Sequence, residues 1–162
     1  MVKRMVDYPI KEQYDIHDLV KIMQILRSDQ GCPWDRAQDH HSIRANFIEE
    51  VYEAVEAIDN EDRALLKEEL GDVLLQVVFH ARLEEEAGSF DFAEVCDGIC
   101  KKLLYRHPHV FGSVQAGDEA EALKSWEQAK KEEKKPQSAA ETLRQVPRVL
   151  PALMRSAKVQ GR

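Results

Sequence analysis

The sequence lacks a hydrophobic run long enough to cross a membrane. Its longest apolar stretch, residues 73–79, is interrupted by Gln76 and falls far short of the roughly 20 apolar residues that a transmembrane helix needs. Cysteine is scarce, with three in the chain, and the N-terminus does not resemble a secretion signal. These absences predict a cytoplasmic protein with free thiols and no membrane partner.

Positive charge is also in deficit, because 30 acidic residues outweigh 23 lysines and arginines and give a net charge of -7. A general nucleic-acid binder presents a basic surface to the phosphate backbone, so this balance argues against a nucleic-acid partner. Aromatic residues make up 7% of the chain and charged residues 33%. That composition favours helices with solvated outer faces over an all-β barrel.

Several catalytic motifs are absent as well. No serine or cysteine stands in a nucleophile-elbow motif, and the chain has no glycine-rich phosphate-binding loop. A zinc site that joins Cys96 and Cys100 to His107 and His109 is disfavoured, because the cysteine spacing falls within a predicted helix. Metal-activated water is therefore the chemistry that the sequence favours.

Apolar residues at three- and four-residue steps predict an all-α fold, a four- to five-helix bundle. The predicted helices cover residues 16–26, 42–58, 62–87, 91–105 and 119–133. Ser42 is the expected N-cap of the second helix, Asp91 and Glu94 form a capping-box pattern, and Gly88 suits a left-handed helix end.

The remaining segments are predicted to be irregular. Residues 107–117 are expected to form a loop. After Pro136 the composition shifts to small and polar residues, and further prolines interrupt any long helix. The prediction is therefore one domain over residues 1–134, followed by a proline-containing linker or tail over residues 135–162.

The second predicted helix combines an apolar stripe with an acidic cluster. The stripe consists of Ile48, Val51, Val55 and Ile58. On another side of the helix Glu49, Glu50 and Glu53 cluster, and the spacing of Glu50 and Glu53 places them on one face. Taken alone, such a cluster is more typical of a solvated surface than of a site.

The third predicted helix places Glu69 and Asp72 in a mostly apolar sequence, which indicates a buried helix. These two carboxylates and Gln76 share one stripe, and the carboxylates would repel each other in the interior without a cation. Mg²⁺ is the expected ion because it prefers oxygen ligands. In an alternative, Glu69 and Asp72 pair instead with an arginine or lysine such as Arg44 or Arg63.

These acidic residues also fit a known pattern. Glu49-Glu50-x-x-Glu53 followed by Glu69-x-x-Asp72 resembles the EExxE…ExxD signature of the MazG-like all-α nucleotide pyrophosphohydrolases. Four blocks resemble the MazG family in the same order along nearly the whole chain, namely GCPWD at residues 31–35, ELGD at 69–72, RHPHVF at 106–111 and LPALM at 150–154.

The resemblance implies hydrolysis of nucleoside triphosphates to monophosphate and pyrophosphate, including house-cleaning of non-standard nucleotides. It also implies a divalent metal, Mg²⁺ with Mn²⁺ as the alternative, bound by Glu50, Glu53, Glu69 and Asp72. Glu49 is expected to orient the attacking water or to act as general base. These five acidic residues are the predicted catalytic set.

The resemblance further implies residues that contact the nucleotide. The expected contacts are Asn46, Lys102, Arg106, Trp126 and Lys130, with Trp34 in the wall of the site. The competing interpretation is that the basic residues form a solvated edge and the tryptophans pack in the fold.

A third helix that is apolar on nearly all sides needs more partners than one small chain supplies, which predicts a homodimer or a higher homo-oligomer. Long members of the family resemble two tandem copies of this unit, whereas this chain resembles one copy followed by the inter-domain linker. Two hypotheses stay open, a nucleoside triphosphate pyrophosphohydrolase and a nucleotide-binding dimerisation or regulatory module with little turnover. The preferred base and sugar do not follow from residue spacing.

Overall fold

The computed structural model describes residue 6, residues 8–133 and residues 139–160. Throughout these ranges the regular structure is helical, which confirms the predicted all-α class. The helices are α1 (Ile16–Leu26), α2 (Pro33–Ala37), α3 (Arg44–Asp59), α4 (Arg63–Glu86), α5 (Phe92–Arg106), α6 (Pro108–Phe111), α7 (Glu119–Glu133), α8 (Ala139–Arg144) and α9 (Ala152–Gln160). Over the described ranges, none of them is long and apolar enough to cross a bilayer.

Contacts within the chain divide it into two compact units, one ending at Gly98 and the other beginning at Ile99. The first unit contains α1 to α4 and the beginning of α5, and the second contains the rest of α5 and the helices after it. The boundary predicted between residues 134 and 135 lies outside the described residues.

Several helix ends form as local hydrogen bonding predicts. Asp62 caps α4 by accepting hydrogen bonds from two backbone N–H groups of the first turn. Gly88 follows α4 with a φ of 71°, the left-handed conformation that glycine adopts at low cost. The capping box before α5 is also present, because Asp91 and Glu94 exchange hydrogen bonds of 3.1 and 2.8 Å.

Ser42 does not cap α3, and that prediction is wrong. The residue before α3 is Ile43, which makes no side-chain cap. Ser42 instead closes a turn with Asp39, since the Asp39 backbone N–H donates to Ser42 Oγ at 2.9 Å and the Ser42 backbone N–H donates to Asp39 Oδ1 at 2.8 Å. The hydroxyl bonds within this turn, one residue before the N-cap position of α3, because serine bonds readily within turns.

Short helices occupy parts of the chain that were predicted to be irregular. The expected loop over residues 107–117 contains α6, and the expected tail contains α8 and α9. Pro108 is the first residue of α6, and Pro151 directly precedes α9. Proline is well tolerated at a helix start because the backbone N–H there has no partner within the helix. These prolines therefore mark helix beginnings.

The core of the first unit forms mainly between α1 and α4. Its buried residues are Met23, Ile43, Val78 and Phe79, and half-buried apolar side chains of α1, α4 and α5 surround them. The Ile43 side chain fixes the chain segment that leads into α3. Because α3 and α4 are joined to this core, their mutual position is set by buried apolar contacts.

Arg27 connects α1 to α4 and to the α2 segment. Its guanidinium forms a bidentate ion pair with Glu86, with a Nη2–Oε2 distance of 2.7 Å, and lies 5.3 Å from the centre of the Phe79 ring. It also donates to the carbonyl oxygens of Asp35 and Gln38. The side chain is only 6% exposed, so Arg27 is a buried structural cation.

The predicted apolar stripe of α3 does not enter the core of the chain. Its four residues, 48, 51, 55 and 58, are between 44% and 57% exposed, whereas Ala54 and Ala57 are buried. Leu70 and Leu74 of α4 are exposed as well. The two small alanines allow α3 and α4 to pack closely on a different face, which leaves the larger apolar side chains outside.

Candidate functional site

The site is built on a hairpin of two helices. The contact between α3 and α4 is the most extensive between any two helices in the described ranges. Residues 60–62 connect them, and Glu61 adopts a left-handed backbone conformation with a φ of 54°. Such a short connection makes the two helices antiparallel neighbours. Residues near the middle of α3 therefore face residues near the beginning of α4.

Three carboxylates meet on this hairpin. Glu50 of α3 and Glu69 and Asp72 of α4 each offer an oxygen within 4.8 Å of the other two. Glu69 is 8% exposed, while Glu50 and Asp72 are half-buried. Glu53 adjoins this group, because its side chain shares a hydrogen bond with Glu50. The structure thus brings together the four predicted metal ligands.

The four carboxylates repel one another. Burial, the charge of Asp72 and the hydrogen bond with Glu53 raise the pKa of Glu50 above its ordinary value. Burial and the charges of Glu53 and Asp72 likewise raise the pKa of Glu69. Both shifts mean that the ionised forms are destabilised in the folded protein.

No protein cation relieves this repulsion within the described residues. Neither Arg44 nor Arg63 forms an ion pair with Glu69 or Asp72, so the alternative of a structural ion pair is not supported. A divalent metal fits the donor set, because hard cations bind carboxylate oxygens and would offset several negative charges at once. No other group of three His, Cys, Asp or Glu side chains in the described ranges meets the same distance criterion.

The other site residues predicted in the first unit are not part of this group of three carboxylates. Glu49 is exposed and directly precedes Glu50 on α3, so it points to a different side of the helix. Asn46 is half-buried and lies one turn before Glu50. Trp34 lies exposed in α2. The roles of Glu49, Asn46 and Trp34 stay predictions.

The second unit contains a cluster of the predicted nucleotide contacts. The Arg106 guanidinium lies 5.5 Å from the centre of the Trp126 ring, and Lys130 Nζ lies 4.6 Å from it. Arg106 also forms an ion pair with Glu133 at 2.5 Å. Lys102 is exposed on α5, one turn before Arg106. Trp126 is thus a platform for two cations.

Gln76 was not among the predicted site residues, although it continues the stripe of Glu69 and Asp72 on α4. Its side chain is buried, and Oε1 has no hydrogen-bond partner among the described residues. The three-then-four spacing of Glu69, Asp72 and Gln76 was visible in the sequence. Whether the Gln76 side chain has a hydrogen-bond partner depends on the packing of α3 against α4, which the local sequence does not show.

Comparison with known proteins agrees with this arrangement. Residues 38–111 match the model of the family described as the MazG nucleotide pyrophosphohydrolase domain. The chain is 47% identical over 148 residues to the nucleoside triphosphate pyrophosphohydrolase of Escherichia coli strain K12, covering 91% of this chain and 56% of that protein. It is 46% identical over 156 residues to the uncharacterized protein YabN of Bacillus subtilis, covering 94% of this chain and 32% of that protein. The chain thus spans less than two thirds of these relatives.

The fold is also shared with a solved structure. The crystal structure of a mazG-related protein from Thermotoga maritima superposes with a TM-score of 0.60 at 27% sequence identity, covering 72% of this chain and 99% of that one. The matching domain includes every carboxylate of the cluster on α3 and α4. The chain therefore resembles the MazG family, through the domain match over residues 38–111 and through relatives that align with most of its length.

Proposed function

We propose that this chain is a metal-dependent nucleoside triphosphate pyrophosphohydrolase that releases nucleoside monophosphate and pyrophosphate. The observation that carries the proposal is the cluster of Glu50, Glu69 and Asp72, three carboxylates that meet, with no cation from the described residues between them, in the region that matches the MazG domain. A site that accumulates negative charge is suited to binding a cation. Relatives named for this activity support the choice of reaction.

In this proposal Glu50, Glu53, Glu69 and Asp72 hold Mg²⁺, with Mn²⁺ as the alternative. When bound, the metal neutralises phosphate charge and makes a nearby water more acidic. Glu50 and Asp72 are only half-buried, so solvent reaches part of the cluster. A catalytic metal site keeps a position for water or substrate, whereas a structural site is closed by protein ligands.

Glu49 is proposed to orient the attacking water or to accept its proton. Water adds to the α-phosphorus, the α,β-anhydride bond breaks, and the bridging oxygen leaves with pyrophosphate. Glu49 is exposed and adjoins Glu50 in α3, so it can exchange the proton with bulk solvent. A general base must reach its proton donor directly or through one water, and this position on α3 is consistent with that.

The second unit is proposed to supply nucleotide contacts through Lys102, Arg106, Trp126 and Lys130. Cationic side chains are needed because the metal alone leaves negative charge on a triphosphate. Arg106 and Lys130 lie near Trp126, so positive charge and a flat aromatic surface occur together. Asn46 and Trp34 are proposed as further contacts from the first unit.

A homodimer is proposed to cover the exposed stripe of α3. Its residues Ile48, Val51, Val55 and Ile58 recur on one face and are about half exposed in the single chain. A contiguous apolar helix face in water is costly and is typical of a subunit interface. We propose a second copy of the chain as its partner, since the same face on both copies is self-complementary.

The test of the activity is pyrophosphate release from a panel of ribo-, deoxy- and modified nucleoside triphosphates with Mg²⁺. Glu50→Gln and Asp72→Asn are expected to reduce release at least 100-fold while the protein stays folded. Glu56→Gln, which changes an exposed glutamate of the same helix, is the matched control and should retain activity. Metal-dependent nucleotide binding without any release would favour the binding or regulatory module instead.

A further inference from the structure

Gln76 is the next polar residue on the stripe that carries the acidic cluster. It follows Asp72 by four residues in α4, which corresponds to one helical turn, or about 5.4 Å along the helix axis. Its side chain is 9% exposed, yet Oε1 has no hydrogen-bond partner within the described residues. The large majority of buried polar atoms in folded proteins are hydrogen-bonded. An unpaired acceptor one turn from a metal-binding cluster indicates a donor that a ligand supplies.

The pairing of the two helices shows what lies at the level of Gln76. Glu50 of α3 and Asp72 of α4 hold carboxylate oxygens within 4.8 Å of each other. Because the short connection makes α3 and α4 antiparallel, each turn forward on α4 from this level corresponds to one turn back on α3. One further turn brings Asn46 level with Gln76. The hairpin therefore changes from four carboxylates to two uncharged amides within one turn.

This change in polarity corresponds to the structure of a nucleotide. The charged phosphates belong at the cluster of carboxylates and metal, whereas the sugar that follows the α-phosphate is uncharged and carries hydroxyl groups. The sugar is joined to the α-phosphate through a single ester linkage, a reach similar to one turn of helix. A hydroxyl group is a hydrogen-bond donor and so complements an amide oxygen.

We propose that Gln76 is a nucleotide-binding residue whose buried, unpaired Oε1 accepts a hydrogen bond from a sugar hydroxyl of the substrate, one turn of α4 beyond Asp72. This inference rests on the proposed function, because it takes a nucleotide as the ligand. It assigns to Gln76 a role in distinguishing sugars, since a substrate that lacks the hydroxyl leaves the acceptor unpaired. A water bound to the metal is the competing donor.

The experiment compares the wild-type protein with Gln76→Met, which keeps the side-chain length and removes the acceptor. Gln24→Met is the matched control, because Gln24 lies on α1 and bonds to Glu85. Calorimetry with Mg²⁺ measures the binding of α,β-methylene analogues of the four common ribonucleotides. It also measures the 2′-deoxy and 3′-deoxy forms of the tightest analogue, and inorganic tripolyphosphate, which has no sugar.

We expect Gln76→Met to weaken binding of the tightest analogue about 10-fold and to leave tripolyphosphate binding unchanged. One of the two deoxy analogues should bind the wild-type protein about 10-fold less tightly, and Gln76→Met should bind that analogue and the parent equally. Gln76→Met should be at least as heat-stable as the wild type, because a buried amide oxygen without a partner has been removed.

Three results would overturn the assignment. An equal loss with tripolyphosphate would mean that Gln76 acts on the metal or phosphates, and no loss at all would mean that it does not contact the nucleotide. A large fall in melting temperature would mean that the amide is bonded within the fold.

The proposed function fails separately from this inference. Nucleotide binding without turnover would contradict the proposed enzymatic activity. The affinities of the nucleotide analogues would still support or refute the role of Gln76. Normal turnover with identical behaviour of Gln76→Met and Gln24→Met would overturn the Gln76 assignment alone. A wild-type protein that binds none of the analogues would overturn both.

Discussion

Glu50 on α3 and Asp72 on α4 hold carboxylate oxygens within 4.8 Å of each other across the helical hairpin. Like charges at this distance destabilise the folded state unless a proton or a cation lies between them. We therefore expect the stability of the first unit to depend on divalent metal and on pH. Both links can be measured without any substrate.

Divalent metal is expected to raise the melting temperature of the wild-type protein near neutral pH. At a free metal concentration 100 times the dissociation constant, the stabilisation is about 2.7 kcal/mol, or roughly 5–10 °C. Differential scanning fluorimetry with Mg²⁺, Mn²⁺ and chelator measures the shift. Glu50→Gln should lose most of it and Glu56→Gln should keep it, whereas equal shifts in both variants would place the metal elsewhere.

Lower pH is expected to stabilise the metal-free cluster. The pKa values of Glu50 and Glu69 are raised in the folded state, so the folded protein binds more protons than the unfolded chain as the carboxylates titrate. Their stabilising contribution is present below the unfolded pKa and is lost as pH rises through the folded pKa.

Urea denaturation in chelator at about pH 5 and about pH 7 tests this sign. Other groups also titrate in this range; the guanidinium of Arg27, for example, lowers the pKa of Glu86. The difference in unfolding free energy between the wild type and Glu69→Gln removes their common contribution and leaves that of the cluster. The wild type should gain stability relative to the variant at the lower pH. The opposite trend would show that these carboxylates are not in mutual repulsion.

Arg27→Met is expected to destabilise the first unit by about 2–4 kcal/mol, because it leaves two backbone carbonyls without their donor and leaves Glu86 paired with Arg82 alone. Arg82→Met is the matched control, since Arg82 also contacts Glu86 but only as a neighbour on the same helix. Its cost should stay below about 1 kcal/mol. Similar losses in the two variants, measured by urea denaturation, would contradict the view that Arg27 is a buried structural cation.

Val55→Glu is expected to separate the proposed homodimer into monomers. The substitution places a charge in the middle of the exposed stripe of α3, where a partner copy would bury it at high cost. Light scattering coupled to size-exclusion chromatography measures the mass. Lys21→Gln changes the net charge by the same amount on α1 and should remain dimeric. A wild-type protein that is monomeric at micromolar concentration would rule the interface out.

Glu133→Gln is expected to lower the KM for nucleotide about 3- to 10-fold. Glu133 Oε2 forms an ion pair with Arg106 Nη2 at 2.5 Å. A phosphate group must compete with this carboxylate for the N–H donors of Arg106. Glu132→Gln, at the neighbouring position of α7, should have little effect. An unchanged KM in Glu133→Gln would mean that Arg106 is structural and does not contact substrate.

Local sequence signals were sufficient for much of the fold. The bounds of α1 and α7 followed from apolar spacing and composition, and the C-terminal end of α4 and the start of α5 followed from Gly88 and the Asp91 capping box. Ser42 was misjudged because a hydroxyl can satisfy a turn as readily as a helix end. Local competition of this kind is not visible in residue preference alone.

Contacts between distant residues were harder to predict. His40 Nδ1 lies 2.7 Å from His80 Nδ1 and His40 Nε2 lies 2.8 Å from Glu84, contacts that no local pattern in the sequence indicates. The stripe of α3 was recognised as apolar, but periodicity cannot tell whether its partner is the same chain. The acidic cluster was predictable because two short motifs supply all of its carboxylates, whereas the open acceptor of Gln76 depends on packing.

The short connection between α3 and α4 has a consequence for how such a site is inherited. All four proposed metal ligands lie within residues 50–72, so one uninterrupted stretch of coding sequence carries the entire set. Recombination, duplication or fusion outside this stretch can exchange the surroundings and preserve the ligands intact. The hairpin can therefore be joined to different flanking sequences while its proposed ligands stay together.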